Sequence, residues 1–146
     1  QMEAAVIIHK KVMETLELVE LADDADKMPS EISGGMQKRA GLARAIIRDP
    51  EIVLYDEPTS GLDPVMSRHI DKLIANLNSK LGVTSVVVTH DLNSALSIGH
   101  RVAMLKAGRI VEISPPDQFR NSTNPEVREF LDAQFKITRI SGEWEN

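Results

Sequence analysis

The spacing of apolar residues along the chain predicts an alternation of helices and strands. Apolar positions recur at helical intervals in residues 2–22 and 63–82, and four further segments are also predicted to be helical. The predicted helices cover residues 2–22, about 33–48, 63–82, about 91–98, 116–120 and 125–135. Predicted strands cover residues 52–55, 83–89, 101–106 and 109–113, the last two joined as a hairpin at Ala107-Gly108. Strands that alternate with helices are typical of an α/β fold with a parallel sheet.

Local signals mark both ends of the helix predicted for residues 63–82. Asp63 stands at its N-cap position, Pro64 begins its first turn and Gly82 ends the helix. Its predicted buried stripe is Ile70, Leu73, Ile74, Leu77 and Leu81. The strands on either side of this helix differ in composition. Residues 52–55 are all apolar, and residues 83–89 are rich in β-branched residues. Both compositions predict strands that are buried on both faces of the sheet.

Two adjacent carboxylates, Asp56 and Glu57, directly follow the first predicted strand, and residues 58–61 then turn the chain. Open α/β sheets bind ligands in the crevice at the C-terminal ends of their strands. One carboxylate there could hold Mg²⁺ and the other could polarise a water, a pairing that suits nucleotide hydrolysis. The alternative is a strand followed by an acidic surface turn.

A second candidate site begins the helix near residue 33. Ser33, Gly34 and Gly35 stand where unpaired backbone N–H groups and the positive end of the helix dipole favour a phosphate. Lys38 and Arg39 add positive charge nearby. The alternative is an ordinary serine N-cap followed by two flexible glycines.

Composition excludes several classes of function. The 146 residues include no cysteine, which rules out disulfides and thiolate metal sites, and the net charge of −5 argues against a general polyanion-binding surface. Aromatic residues make up 3% of the chain, too few to expect stacking platforms for single-stranded nucleic acid. No apolar stretch approaches the roughly 18 residues of a membrane span. We therefore expect no nucleic-acid partner and no direct membrane insertion.

Three segments taken together resemble the ATP-binding cassette (ABC) ATPase family. They are ISGGMQKRAGLARAI at residues 32–46, IVLYDEPTSGLD at 52–63 and VVVTHD at 86–91. The resemblance implies an incomplete P-loop NTPase-like parallel sheet flanked by helices, plus part of a helical subdomain, in one partial domain over residues 1–135. Its expected parts are the helical subdomain with the signature segment (1–48), the core sheet (49–114), the C-terminal helices (115–135) and a tail (136–146).

The resemblance also assigns roles to individual residues around ATP and Mg²⁺. It implies that Asp56 binds Mg²⁺ through water and that Glu57 is the general base. His90 would contact the γ-phosphate, although a histidine at this position could simply cap the next helix. The nucleotide-binding residues that it implies are Ser33, Gly34, Gly35, Gln37 and Asp63, which face a second subunit in a head-to-tail dimer. Asp63 keeps its competing N-cap role, and Met36 displaces the usual glutamine by one position.

One element of the family pattern is missing from the printed sequence. No glycine is followed by the Lys-Ser or Lys-Thr of a phosphate-binding loop, G-x-x-x-x-G-K-[ST]. The chain therefore looks like the C-terminal portion of a cassette, and we expect residues 1–146 alone not to hydrolyse ATP. The absent loop strand should also leave the edges of two sheet strands without a partner, which invites pairing with another chain.

Met36 after the two glycines, and the segment NPEVREFL at residues 124–131, are similar to the ATPases of Mce-type (mammalian-cell-entry-type) lipid transporters. This implies ATP hydrolysis coupled to lipid movement through separate transmembrane permease subunits. The subunit would lie in the cytoplasm at the inner face of the membrane. Two alternatives remain: a soluble ABC-type ATPase that acts without transport, and a non-catalytic interaction fragment.

Overall fold

The computed structural model describes residues 2–135, so the predicted tail at 136–146 lies outside the described residues. Its helices are α1 (Met2–Leu18), α2 (Gly34–Ile46), α3 (Pro64–Leu81), α4 (Leu92–Ile98), α5 (Pro116–Arg120) and α6 (Pro125–Phe135). Its strands are β1 (Ile52–Asp56), β2 (Thr84–Val88), β3 (Val102–Lys106) and β4 (Arg109–Ser114). Two short 3₁₀ turns, Ala22–Asp24 and Pro29–Glu31, connect α1 to α2. The predicted order and type of the helices and strands are confirmed.

The chain forms two compact units, one ending at Ser94 and the other beginning at Ala95. In the first unit, α3 buries a stripe of side chains at helical spacing. These are Ile70, Leu73, Ile74 and Leu77, four of the five positions predicted for it. The fifth, Leu81, is exposed at the end of the helix. Gly82 then closes α3 in the left-handed conformation, with a φ of 64°, which glycine adopts without the strain of a Cβ atom.

Helix α1 ends four residues earlier than the apolar spacing predicted. Glu20 takes a left-handed φ of 58°. The N–H of Leu21 then donates to the Leu16 carbonyl at 2.8 Å, which closes the helix. Val19 and Leu21 are buried even though they lie beyond the helix. Apolar spacing alone could not distinguish buried turn residues from buried helical ones.

Strands β1 and β2 pair in parallel, with Leu54 opposite Val86 and Asp56 opposite Val88. The prediction that both strands are buried on both faces was wrong. Side chains alternate between the faces of a strand, and Val53 and Tyr55 are buried whereas Leu54 is 75% exposed. Nothing within residues 2–135 covers the face that carries Ile52, Leu54, Val86 and Val88.

The outer edges of this two-stranded sheet agree with the expectation of unpaired strands. Among the described residues, β2 pairs only with β1, and β3 pairs only with β4. The sheet that carries the candidate acids is therefore open on both sides over residues 2–135. Its unpaired edges are open to pairing with another strand, and water solvates its apolar face poorly.

The second unit contains the β3–β4 hairpin and the last two helices. The pairing is antiparallel, and the turn places Ala107 and Gly108 at φ values of 49° and 73°. Such left-handed pairs match the twist of a two-residue hairpin. An ion pair between Arg109 and Glu126 connects β4 to α6. The buried apolar side chains of this unit include Phe119, Val127 and Leu131.

Asp63 caps α3 as predicted: its Oδ1 accepts hydrogen bonds from the N–H groups of Val65 and Met66 at 2.9 and 3.0 Å. We expect Asp63→Ala to lower the free energy of unfolding by about 1 kcal/mol, because two helix N–H groups lose their acceptor. Urea unfolding followed by circular dichroism measures the change. Ser79→Ala, on the exposed side of the same helix, is the matched control and should stay within about 0.5 kcal/mol of the parent chain. Equal effects from the two variants would contradict the capping role.

Candidate functional site

Glu57 is the first residue after β1 and has a left-handed φ of 47°. Its N–H donates to the Val88 carbonyl at 2.9 Å, which continues the β1–β2 pairing by one residue. Left-handed backbone is costly for a residue with a Cβ atom and tends to occur where a side chain must be aimed. Here it directs a half-buried carboxylate at the C-terminal edge of the sheet.

His90 lies against this carboxylate, 33 residues further along the chain. The His90 backbone N–H donates to Oε1 of Glu57 at 2.9 Å. The ring Nδ1 lies 2.8 Å from the buried Oε2 of the same carboxylate, at ion-pair distance. The structure therefore brings together the two residues expected to be catalytic.

The pKa of the His90 imidazole is raised above its ordinary value, first by hydrogen bonding with Glu57 and then by the charge of that carboxylate. A raised pKa means that the folded state binds the proton more tightly than the unfolded chain does. The stabilisation is therefore complete below the unfolded pKa of about 6.5, and it is lost as the pH rises through the higher folded value.

We expect His90→Ala to destabilise the chain more at pH 6 than at pH 8, because only the protonated ring forms an ion pair with Glu57. Urea unfolding at both pH values measures the difference. The same comparison in a Glu57→Gln background is the control, and the pH dependence should disappear there. A pH dependence that survives in that background would show that another group is responsible.

Asp56 ends β1 beside Glu57, and its side chain is exposed. The described residues contain no cluster of three or more metal-ligating side chains. The adjacent carboxylates of Asp56 and Glu57 still suit Mg²⁺, which commonly binds one or two carboxylates and fills its remaining positions with water and substrate phosphates. Asp56, Glu57 and His90 thus lie at the same end of the β1–β2 sheet.

Ser33 caps α2, the role that the sequence analysis left open as the alternative to phosphate binding: its hydroxyl accepts a hydrogen bond from the Met36 N–H at 3.3 Å. The two glycines after it differ in their surroundings. A Cβ atom at Gly34 would meet nothing within 4 Å. At Gly35 it would lie 3.0 Å from the Met66 side chain of α3. Gly35 therefore allows α2 to approach α3 closely, and Gly34 leaves the start of α2 open.

Gln37 and Arg39 make contacts that the sequence did not predict. The Gln37 amide donates to the backbone carbonyl of Pro29 at 3.0 Å. The Arg39 guanidinium donates to the carbonyls of Val19 and Glu20 at 3.2 and 2.6 Å, which ties α2 to the end of α1. Arg39 is therefore not available as a free positive charge beside Ser33.

Contacts from the Ser33–Gln37 segment run to the preceding turn, within α2 and to Met66, and none of those described reaches Glu57 or His90. The described part of the chain thus contains two separate groups of candidate residues. One lies at the end of the β1–β2 sheet and the other at the start of α2.

Comparisons with known proteins bear on the family and the fold of this chain. A profile of the ABC transporter family matches residues 3–60. The chain is 45% identical over 128 residues to the intermembrane phospholipid transport system ATP-binding protein MlaF of Escherichia coli K12, covering 88% of this chain and 48% of MlaF. It is 48% identical over 125 residues to the methionine import ATP-binding protein MetN of Carboxydothermus hydrogenoformans, covering 85% of this chain and 37% of MetN. The chain belongs to the ABC ATP-binding family.

The fold of a solved ATP-binding cassette of an ABC transporter matches this chain with a TM-score of 0.75. The two are 26% identical, and the match covers 83% of this chain and 48% of the cassette. The probable ribonucleotide transport ATP-binding protein mkl of Mycobacterium leprae is 46% identical over 123 residues, covering 84% of this chain and 35% of its own length. The chain thus spans about a third to a half of the ABC relatives that it matches.

Two further findings concern the ABC chain itself. None of the helices in residues 2–135 is long and apolar enough to cross a membrane. The sequence analysis did not single out Arg68 of α3, which contacts both Asp71 of the same helix and Asp91, the residue after His90. The one signal in the sequence that could have pointed to these contacts was Asp71, an acidic residue next to Ile70 in the apolar stripe of α3.

Proposed function

We propose that this chain supplies the water-activating part of an ABC ATPase site. The observation that carries the proposal is the contact between Glu57 and His90 at the C-terminal end of the β1–β2 sheet. Phosphoryl transfer needs a positioned water and stabilised charge more than covalent chemistry from the protein. A carboxylate and an imidazole held together at a sheet edge can provide both.

In this proposal Glu57 is the general base and orients the attacking water, and His90 donates a hydrogen bond toward the γ-phosphate. The raised pKa of His90 favours the protonated ring, which carries the positive charge that a phosphate attracts. Bound Mg²⁺ would neutralise phosphate charge, and the exposed Asp56 carboxylate would hold it through water. The His90–Glu57 contact keeps both side chains at the sheet edge when no nucleotide is bound.

The residues at the start of α2 serve a different nucleotide. Ser33, Gly34 and Gln37 are exposed at the start of α2 and Gly35 is buried beside them, and the contacts of this segment do not reach Glu57 or His90. We infer that they face ATP held by a second ABC subunit in a head-to-tail dimer. Asp63 would approach the same dimer interface while it caps α3. Transmembrane permease subunits would hold the dimer at the cytoplasmic face of the membrane.

For the transported substrate we propose a lipid. Met36 after the two glycines and the segment at residues 124–131 support this assignment, as does the similarity to MlaF. The similarity to MetN is comparable, so the experiment must compare the two. Because the chain lacks a phosphate-binding loop motif, it must be tested within a longer cassette.

Two chimeras provide this test. In the MlaF chimera, residues 1–146 replace the matching part of E. coli MlaF, and in the MetN chimera they replace the matching part of MetN. Each is assembled with the membrane subunits of its own system and compared with the parent protein. We expect the MlaF chimera to hydrolyse ATP and support phospholipid transport, and we expect the MetN chimera not to restore methionine import.

The opposite pattern of transport would overturn the lipid assignment and leave the ATPase assignment intact. If neither chimera hydrolyses ATP although both assemble, the ATPase proposal fails. A non-catalytic interaction fragment would then be favoured. The exposed apolar face of Ile52, Leu54, Val86 and Val88 is the structural observation that supports this second candidate.

A further inference from the structure

The guanidinium of Arg68 bridges two carboxylates next to the candidate site. Its NH1 lies 3.0 Å from Oδ2 of Asp71, one turn further along α3. Its NH2 lies 2.5 Å from Oδ2 of Asp91, 23 residues away in sequence. Asp71 is buried, whereas Arg68 and Asp91 are partly exposed. The planar guanidinium is suited to a two-sided contact of this kind, because its donors project in fixed directions.

Asp91 is held through both of its carboxylate oxygens. Oδ1 accepts from the N–H groups of Asn93 and Ser94 at 2.9 and 3.2 Å, at the start of α4. Oδ2 faces Arg68, and it also lies 3.1 Å from the Ser94 hydroxyl. The Asp91 N–H donates to Thr89 Oγ1 at 3.0 Å. These contacts fix the backbone on both sides of the peptide that joins His90 to Asp91.

Charge and burial explain why Arg68 stays in this position. Burial raises the pKa of Asp71, and the Ser94 hydrogen bond and the Arg68 charge offset part of that rise. Burial also acts to raise the pKa of Asp91, but the hydrogen bonds from Ser94 and the Arg68 charge outweigh it, so that the pKa is lowered. Without Arg68, two carboxylates would share one serine hydroxyl, and their charges would repel each other.

We propose that Arg68, anchored by Asp71, is a positioning residue for His90: it holds Asp91, and thereby keeps the His90 N–H and ring on Glu57. This role rests on the proposed function of Glu57 and His90. The simpler alternative is that Arg68 only joins α3 to the start of α4. In that case the loss of Arg68 would lower the stability of the whole first unit, without a particular effect at His90.

Residue-resolved hydrogen exchange of the full chain separates these two roles. The His90 N–H is bonded to Glu57 Oε1, so its exchange rate reports the contact directly. We expect Arg68→Met to speed exchange at His90 about tenfold or more, while the Glu57 N–H bonded to Val88 exchanges at its original rate. Arg68→Lys should speed exchange at His90 to an intermediate extent, because an ammonium keeps the positive charge but lacks the planar pair of donors that contacts both carboxylates. The exposed Lys72→Met on the same helix is the matched control.

Unchanged exchange at His90 in a folded Arg68→Met chain would overturn the proposal. Equal acceleration at every amide would also overturn it, in favour of the simpler structural role. If Arg68→Met does not fold, the same comparison is made with Arg68→Lys, and unchanged His90 exchange there would count equally against the proposal.

A kinetic measurement distinguishes failure of this inference from failure of the proposed function. In the MlaF chimera, Arg68→Met should lower kcat about tenfold with little change in KM for ATP, because the positioned pair acts after ATP has bound. If the unmutated chimera does not hydrolyse ATP, the proposed function fails, and hydrogen exchange still decides whether Arg68 positions His90. If the chimera is active and Arg68→Met leaves kcat unchanged, the positioning role fails alone.

Discussion

Replacing Glu57 with Gln is expected to reduce ATP hydrolysis by the MlaF chimera at least about 100-fold, with ATP binding retained. General bases typically contribute 10²- to 10⁴-fold to rate, and an amide cannot accept the proton of the attacking water. The replacement keeps the size of the side chain and an oxygen that can accept the His90 N–H. The effect should therefore fall on kcat. Phosphate release gives the rate, and calorimetry with Mg·ATP gives the affinity.

Glu51→Gln is the matched control for this experiment. It makes the same chemical change immediately before β1, at the end of the strand opposite Glu57, and its side chain is exposed. We expect the control to hydrolyse ATP at the parent rate. Hydrolysis that survives Glu57→Gln at a similar rate would show that another group activates the water. Loss of ATP binding in the same variant would show that Glu57 acts in binding.

Residues 1–146 alone are expected neither to bind Mg·ATP tightly nor to release phosphate at a measurable rate. The printed sequence has no phosphate-binding loop motif, so it lacks the backbone cradle and the lysine that neutralise the β- and γ-phosphates. Single electrostatic contributors of this kind are commonly worth 10²- to 10³-fold in rate. The loss of the whole loop should therefore abolish turnover, even though Glu57 and His90 lie in contact.

Calorimetry and phosphate release on the isolated chain test this expectation, with the MlaF chimera under the same conditions as the positive control. Absence of binding and release in the chain, together with activity in the chimera, would support the interpretation as part of an ATPase site. Hydrolysis by residues 1–146 that disappears in Glu57→Gln would contradict it. The phosphate-binding loop would then not be required for the chemistry of this chain.

Much of the local structure was predictable because its causes lie within a few residues of each other. Asp63 and Ser33 cap helices through N–H groups two or three positions away, and Gly82 ends α3 through its own backbone freedom. The apolar spacing of α3 is likewise local. Signals in the sequence pointed to these features because no distant part of the chain is needed to form them.

Burial of the strands was less predictable. Residues 52–55 are all apolar, and yet only alternate side chains of β1 are covered over the described part of the chain. Composition shows that a strand is suited to burial on two faces, but it does not show which elements are available to cover it. The second face of the β1–β2 sheet was therefore predicted to be buried, and it is exposed over the described residues.

For the site, motif resemblance drew attention to Glu57 and His90, and only the tertiary structure showed their contact and its geometry. The roles of the predicted site residues in nucleotide binding and catalysis stay predictions. The contacts of Gln37, Arg39 and Arg68 were not foreseen, because a long polar side chain has many partners in reach.

The sequence by itself determined the order and type of the helices and strands, which helix ends carry caps, and which segments resemble an ABC ATPase. Tertiary structure alone decided that Gly35 packs against Met66, that Arg39 contacts the end of α1, and that Arg68 bridges Asp71 and Asp91. The physical reason is the range of the interactions. Caps and periodicity act within one or two turns of chain. Partners some 20 to 30 residues apart meet only once the helices and strands have packed.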